Sequence, residues 1–368
     1  MDQEEDLSAA RSDPALFLDS LGTPAVIDEI QRAGDPLILA LKQRLDRSQR
    51  AGQYILTGST NFLTAPTISE SLAGRIDIVT LWPLSVGELH GGDDAFVDRA
   101  FRGPGALLDH RGSAISRSEY LDILCRGGYP EPQRLADRPR HRWFERYLET
   151  VLRREVESAS DLRRFDALLA MARLLAATTG SELVVSRLAH DLGIDRGTAE
   201  AYEPWLETTF LVHRLPAWSR KVASKTVRRP KLHVTDTGFP AAIMGKNANA
   251  LARPNDPLVG PLVESFAIAE VAKQLTWAET SARLHHLREP DGLEVDGVLE
   301  SADGRVVTLE VKASTVPRAE DAGPMMALRD RLDRAGSDFV AGVVLHTGDR
   351  RVTLSDRMVG LPLADLWT

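Results

Sequence analysis

Two acidic residues, Asp28 and Glu29, stand near the end of a short apolar run at residues 24–30. The run predicts a buried parallel strand, and side chains just past such a strand lie at the edge where open α/β sheets bind ligands. An aspartate there can hold Mg²⁺, and the next glutamate can orient or deprotonate an attacking water. Asp28 and Glu29 are therefore candidates for metal binding and catalysis.

A second apolar run, at residues 54–56, continues into a Thr-Gly-Ser-Thr-Asn turn. Ser59 or Asn61 in this turn can hydrogen-bond a γ-phosphate or the attacking water. Arg75, after a predicted helical turn, can stabilise phosphate charge in its own or a neighbouring molecule. When each feature is considered alone, the turn is better interpreted as an ordinary turn and Arg75 as a surface arginine. Taken together with Asp28, they predict a phosphate-binding edge.

The C-terminal third contains a second acidic pattern, with Asp296 on one predicted strand and Glu310 and Lys312 on the next. It resembles the D…(D/E)-x-K signature of restriction-endonuclease-like nucleases. In that chemistry two carboxylates hold Mg²⁺ and the lysine stabilises or activates the attacking water. Glu264, on a predicted helix upstream, is a further candidate metal ligand.

The loop between those strands predicts how they pair. A three-residue loop at 302–304, with its glycine in the left-handed conformation, would pair Ser301 with Arg305 and set Asp296 opposite Glu310. Two facing carboxylates are unfavourable without a cation between them. A plain amphipathic hairpin is the alternative. Alternation would put Glu294, Asp296, Glu310 and Lys312 on one face and Leu293, Val295, Leu299, Leu309 and Val311 on the other.

Residues 208–235 contain no acidic residue and seven basic ones. The basic residues all lie between positions 214 and 231, which makes this stretch a candidate DNA-binding segment. Two short predicted helices, 181–192 and 195–208, precede it with helix-turn-helix spacing, and a basic wing after them would bind phosphates. The second helix is acidic and contains Pro204, which suits a major groove poorly, so protein binding or packing is the preferred alternative. The candidate nucleic-acid contacts are Arg220, Lys221, Lys225, Arg228 and Arg229.

The elements expected to position these residues change along the chain. Strand, helix, strand, turn and strand over residues 24–81, with the third strand at 76–81, indicate an open α/β sheet. Residues 143–157 and 162–178 are expected to be helices. Strand and helix patterns over residues 261–345 predict a second α/β region.

Four segments in this order resemble one family: Ala25-Val-Ile-Asp-Glu-Ile-Gln-Arg-Ala, Ile55-Leu-Thr-Gly-Ser-Thr-Asn, Ser71-Leu-Ala-Gly-Arg and Leu81-Trp-Pro-Leu-Ser-Val-Gly-Glu-Leu. The family is that of bacterial and archaeal AAA-type (P-loop) ATP-binding proteins with a C-terminal domain of unknown function. The resemblance extends from Asp13 to the end of the chain. It implies ATP and Mg²⁺ as cofactors, Asp28 and Glu29 as the Walker B element, Ser59 or Asn61 as sensor, and Arg75 as the family's arginine.

The family's phosphate-binding loop, G-x-x-x-x-G-K-[ST], does not occur in these 368 residues. Only Lys246 follows a glycine, and there Asn247 replaces Ser/Thr while Pro240 stands at the first glycine position. The expectation is that the missing unit lies N-terminal to this sequence. In the family its strand lies between the second and third strands found here, so ATP hydrolysis by these residues alone is not expected.

Composition narrows the classes of protein. With 45 Lys and Arg against 53 Asp and Glu, the formal charge of −8 excludes a uniformly basic nucleic-acid binder but not a basic patch. One cysteine, Cys125, excludes a disulfide framework and a Cys-rich zinc site. The apolar runs are too short for a membrane span and the N-terminus is too acidic for a signal peptide, so a cytoplasmic protein is expected.

The expected fold class is α/β in four regions. They are a partial AAA-type P-loop sheet at 1–92, a helical lid or linker at 93–160, a winged-helix-like region at 161–235, and a restriction-endonuclease-like α/β domain at 236–368. The leading hypothesis is an ATPase that switches a nucleic-acid-binding or protein-binding C-terminal half. A Mg²⁺-dependent nuclease and a non-catalytic interaction protein are the alternatives.

Overall fold

The computed structural model describes residues 3–48, 50–58, 71–112, 114–158, 165–219 and 229–368. The chain divides into two compact units: residues 1–80 with 208–210, and residues 81–207 with 211–368. Within the described ranges, no helix is both long and apolar enough to cross a membrane.

The N-terminal unit is built around two short parallel strands. Asp13 caps the second helix by accepting a hydrogen bond from Leu16 N at 3.0 Å. The helix after the first strand buries Leu37, Ile38 and Leu41 in a core shared with the strands. The elements are α1 (Glu4–Ser12), α2 (Pro14–Leu21), β1 (Ala25–Ile27), α3 (Asp35–Arg47) and β2 (Tyr54–Leu56).

The prediction of a third strand at residues 76–81 is wrong, because the structure has no strand there. A strand needs a neighbouring backbone to complete its hydrogen bonds, and the described ladder contains β1 and β2 alone. Val79 is 81% exposed. Val26 and Ile55, which are register partners across β1 and β2, are each 64% exposed, so one apolar face of the pair is open.

The larger unit begins with helices. The two helices expected at 143–157 and 162–178 are confirmed as α8 (Asp137–Ser158) and α9 (Phe165–Ala177). Gly193, with φ of 61°, joins the next two helices in the expected helix-turn-helix spacing. The helices are α4 (Val86–His90), α5 (Phe96–Arg102), α6 (Pro104–Asp109), α7 (Arg117–Arg126), α8 (Asp137–Ser158), α9 (Phe165–Ala177), α10 (Val185–Leu192), α11 (Arg196–Thr208), α12 (Gly238–Ile243), α13 (Ala248–Leu251), α14 (Val259–Gln274) and α15 (Gly323–Arg334).

Two sheets complete this unit. The smaller is antiparallel, in the order β3-β5-β4. The larger has six strands in the order β10-β11-β9-β8-β7-β6, and its inner pairs β8–β9 and β9–β11 are parallel. The strands are β3 (Ser181–Glu182), β4 (Val212–Leu215), β5 (Lys231–Val234), β6 (Ala282–Arg288), β7 (Glu294–Ser301), β8 (Val306–Lys312), β9 (Phe339–His346), β10 (Val352–Ser355) and β11 (Met358–Pro362).

Helices cover the larger sheet on both faces. On one face, α14 packs Leu262 and Phe266 against Leu309. On the other, α15 packs Leu328 against Val306. Because neighbouring side chains of a strand alternate, the two clusters occupy opposite sides of the sheet. The helix α14 is buried on nearly every side, so a polar residue within it must find a partner in the fold.

Candidate functional site

The ends of β1 and β2 bring Asp28 close to Thr57. The Thr57 hydroxyl donates a hydrogen bond to Asp28 Oδ1, and Glu29 N donates to the same hydroxyl oxygen at 3.4 Å. The carboxyl ends of parallel strands meet at one edge of a sheet, so the exposed Asp28 carboxylate and the Thr57 hydroxyl offer adjacent oxygen atoms there.

Glu29 adopts the left-handed conformation, with φ of 52°, directly after β1. This conformation is uncommon for a residue with a side chain and is concentrated at functional sites. The Glu29 carboxylate accepts a hydrogen bond from Gln31 Nε2. Arg75 forms an ion pair with Asp46 at 2.6 Å. Ser59 and Asn61 lie outside the described residues.

The predicted pairing of the C-terminal hairpin is confirmed. Ser301 N donates to Arg305 O at 2.9 Å, and Gly304 has the expected left-handed φ of 85°. The register then runs from Glu300 with Val306 to Gly297 with Leu309, and the ladder ends there, one position before Asp296 and Glu310. Asp296 Oδ2 also accepts a hydrogen bond from Val311 N at 3.0 Å.

A β-bulge in β7 places Asp296. His286 on β6 faces two residues of β7, Asp296 and Gly297, because β7 contains one residue more than β6 between matched positions. A Cβ atom at Gly297 would lie 3.1 Å from the Leu309 side chain, so glycine suits the close approach. The matched pairs on either side are Leu287 with Val295 and His285 with Val298.

Because of this bulge, the prediction that the five apolar residues of the hairpin share one face of the sheet is wrong. Leu293 and Val295 pack in the cluster of α15. The residues that were expected beside them pack in the cluster of α14: Leu299, Leu309 and Val311. The extra residue reverses the alternation of β7, and the carboxylate of Asp296 thereby points toward α14 and β5, where it meets Lys231.

Lys231 is the centre of the acidic cluster. Its Nζ lies 2.9 Å from Glu264 Oε1, 2.9 Å from Glu294 Oε1 and 3.4 Å from Asp296 Oδ1. The residue is only 2% exposed. Glu310 instead binds Lys312 Nζ at 2.6 Å. Within the described ranges, no group of three or more His, Cys, Asp or Glu side chains is arranged to hold a metal ion.

Charge and burial shift the pKa values in this cluster. Burial raises the pKa of Glu264 above its ordinary value, and the charge of Asp296 adds to the effect. Burial likewise raises the pKa of Glu310, again with a contribution from Asp296. Burial opposes the charged form of Lys231, but its carboxylate partners outweigh this and raise its pKa. The cluster is therefore held together by one buried ammonium.

The basic segment proves less basic than its sequence indicates. Arg214 is paired with Glu203 and with Glu207, the latter at 2.7 Å, and Lys231 is buried. The positive charges of Arg214 and Lys231 are therefore paired with carboxylates of the same chain rather than directed toward DNA or another protein. Arg229 is exposed, and its carbonyl accepts a hydrogen bond from His286 Nε2 at 3.0 Å. The other candidate contacts lie outside the described residues: Arg220, Lys221, Lys225 and Arg228.

Three domain families match successive parts of the sequence. Residues 1–90 match an AAA domain, residues 117–250 the domain of unknown function DUF8612, and residues 259–366 the domain of unknown function DUF4143. The chain thus matches an AAA domain at its N-terminal end, followed by two domains of unknown function. The Asp28–Thr57 edge lies in the AAA domain, Lys231 in the DUF8612 region, and the carboxylates around Lys231 in the DUF4143 region.

The chain also resembles two longer mycobacterial proteins. Two uncharacterized proteins, from Mycobacterium bovis and Mycobacterium tuberculosis, are each 25% identical over 375 residues, an alignment that covers all of this chain and 75% of theirs. No solved structure matches the chain.

Lys231 and Glu294 are cluster residues that the sequence did not single out as metal or catalytic candidates. Glu294 was expected on the charged face of the hairpin, and Lys231 only as part of the basic segment. The available signal was composition: lysine occurs seven times in a chain that otherwise uses arginine. That rarity marks each lysine for inspection but identifies no partner.

Proposed function

We propose that the AAA domain binds Mg²⁺·ATP at the carboxyl ends of β1 and β2, and that nucleotide binding switches the C-terminal half of the protein. The observation that carries the proposal is the contact between Asp28 and Thr57 at the ends of two adjacent parallel strands. Carboxylate and hydroxyl oxygens are the ligands that Mg²⁺ takes in nucleotide sites. The AAA match over residues 1–90 supports the same edge.

In this proposal each residue at the edge has a distinct role. Asp28 would hold the Mg²⁺ ion, and Glu29, fixed by its left-handed backbone, would orient the water that attacks the γ-phosphate; hydrolysis would also need a phosphate-binding loop, which does not occur in these 368 residues. Ser59 or Asn61 senses that phosphate. Arg75 exchanges Asp46 for phosphate, in its own or a neighbouring molecule. The bound ion would neutralise phosphate charge.

The DUF8612 and DUF4143 regions would receive the nucleotide signal. The order α9, β3, α10, α11, β4, β5 supports the proposal of a winged helix over residues 161–235, after a helical linker at 93–160. The mixed six-stranded sheet supports a restriction-endonuclease-like domain over residues 236–368. The switched partner is either DNA or a protein.

Nucleotide binding to the 368-residue chain tests the proposal. A fluorescent ATP analogue is titrated in Mg²⁺ and in EDTA, with wild type, Asp28→Asn and, as a matched control, Asp19→Asn, whose carboxylate pairs with Arg44 on the surface. We expect Mg²⁺-dependent binding that Asp28→Asn weakens at least about tenfold and Asp19→Asn leaves unchanged. Binding that ignores both Mg²⁺ and Asp28 would refute the assignment.

A second candidate function is a Mg²⁺-dependent nuclease in the DUF4143 region. The hairpin favours it, because its ladder runs to Gly297 with Leu309 and brings the charge of Asp296 close to Glu310, with Lys312 two residues on. Plasmid cleavage that needs Mg²⁺ and is lost in Asp296→Ala would support it. If the folded protein neither binds ATP nor cleaves DNA, a non-catalytic interaction protein is left, and charge reversal of Arg228 and Arg229 tests its DNA contacts.

A further inference from the structure

A small cavity in the larger unit lies where parts of all three matched regions meet. Its volume is about 10 Å³. Its lining includes Leu84 and Val86 from the AAA match, Gly128 and Asp236 from the DUF8612 region, and Lys273 from the DUF4143 region. We propose that this cavity is a binding site for one water molecule, which joins the Lys273 ammonium to the Asp236 carboxylate.

The Lys273 ammonium has a hydrogen-bond donor to spare. The residue is 4% exposed, so bulk water cannot serve all of its donors. Among the described residues its Nζ has two acceptors, Glu270 Oε1 at 2.6 Å and Leu84 O at 3.1 Å. An ammonium carries three N–H donors, and buried donors are rarely left without an acceptor. The third donor of Lys273 therefore needs a partner, and the cavity beside it has room for one.

The Asp236 carboxylate is the acceptor that charge favours. It is also 4% exposed, and its two oxygens accept hydrogen bonds from Gly128 N at 2.6 Å and Gly238 N at 2.8 Å. Each oxygen can accept another bond. Burial raises the pKa of Asp236, while the Gly128 N–H and the charge of Lys273 act in the opposite direction. In the described part of the chain, however, no ion pair or hydrogen bond joins Lys273 directly to Asp236.

The size and the charges of the cavity select water as its occupant. A water molecule needs about 10–15 Å³ of such space and about two to four polar partners, and cavities that stay empty have apolar walls. A polar contact too long for a direct hydrogen bond is commonly bridged by water. The volume excludes any larger ligand, and the ammonium of Lys273 would repel a metal ion.

The water would close a ring of hydrogen bonds. Lys273 Nζ donates to Leu84 O, Leu84 N donates to Gly128 O at 2.9 Å, and Gly128 N donates to Asp236 Oδ2. The step from Asp236 back to Lys273 is the one that lacks a direct bond. A water that donates to the carboxylate and accepts from the ammonium completes it, and each of the three matched regions then contributes to the ring. This inference does not depend on nucleotide binding.

Room-temperature crystal structures of the complete chain test the proposal, at a resolution that shows ordered waters. Wild type is compared with Ala269→Ser, because Ala269 lines the cavity one helical turn before Lys273 on α14. The matched control is Ala267→Ser, a buried alanine of the same helix that lies on another side. We expect one water in wild type within about 3.2 Å of both Lys273 Nζ and an Asp236 oxygen.

The two variants locate the site. In Ala269→Ser the new hydroxyl should take the place of the water, so one ordered water is lost, whereas Ala267→Ser should keep it. A wild-type cavity without density overturns the proposal, as does a Lys273 ammonium in direct contact with Asp236. Loss of the water in Ala267→Ser with retention in Ala269→Ser also overturns it, because the water would then lie elsewhere.

Discussion

Replacement of Lys273 by methionine tests how α14, the helix that carries Glu264, is held in place. Lys273 Nζ donates to Glu270 Oε1 at 2.6 Å and to Leu84 O at 3.1 Å, and Glu270 Oε2 accepts from Val86 N at 2.9 Å. Glu270 is 1% exposed and Lys273 4%. The pair therefore fastens the helix to the backbone at residues 84–86 with no help from solvent.

The size of the effect follows from this burial. Lys273→Met leaves the Glu270 carboxylate in the interior with a single donor, and breaking a buried pair in this way costs about 3–5 kcal/mol. The double variant Glu270→Met/Lys273→Met removes the unpaired charge, so it should be more stable than the single one. It should remain below wild type, because Leu84 O and Val86 N lose their partners at about 1–3 kcal/mol each.

Urea unfolding followed by tryptophan fluorescence measures both variants. Arg196→Met is the control, since Arg196 pairs with Glu200 on the surface, where the two side chains are 72% and 50% exposed, and it should cost at most about 1 kcal/mol. A loss below about 1 kcal/mol for Lys273→Met, or a double variant no more stable than the single, would refute the account of a buried, solvent-free pair.

Two further predictions concern the same unit. Burial lowers the pKa of His213 to about 4, so as the pH falls the unfolded chain binds this proton before the folded one does. The free energy of unfolding should therefore be at its full value above about pH 6.5 and decrease by about 3 kcal/mol as the pH approaches 4. Chemical denaturation of His213→Phe across that pH range should show a correspondingly smaller acid loss, and an unchanged pH profile would contradict the assignment. Gly128→Ala should destabilise by at least about 2 kcal/mol, because its Cβ would lie 2.2 Å from Leu84 O. The control Gly105→Ala, whose Cβ meets nothing within 4 Å, should be neutral or slightly stabilising in the same thermal melts; equal losses would contradict the steric argument.

The hairpin of β7 and β8 shows what local sequence determines. A three-residue loop ending in glycine admits few backbone conformations, so the pairing of Ser301 with Arg305 follows from loop length alone. The Asp296–Gly297 bulge does not follow, because it arises from pairing with β6 on the other side. Its cause is the neighbouring strand, which the hairpin sequence does not contain.

Long-range partners account for the other differences. The apolar residues at 76–81 have strand-like composition, but a strand forms only where another backbone completes its hydrogen bonds. Lys231 looks like one of several basic residues, yet its partners lie 33 residues away at Glu264 and 65 residues away at Asp296. A local charge count cannot distinguish an exposed basic residue from one that the fold neutralises.

The placement of Lys231 bears on how these domains can be inherited and recombined. A gene fusion that joined this DUF4143 region to a different neighbour would leave Glu264, Glu294 and Asp296 without their ammonium. It would also uncover the edge of β6, which now forms a bridge to Ala217. The two regions are therefore not interchangeable modules. We expect a lysine at this position of β5 and the three acids to be gained and lost together among related sequences.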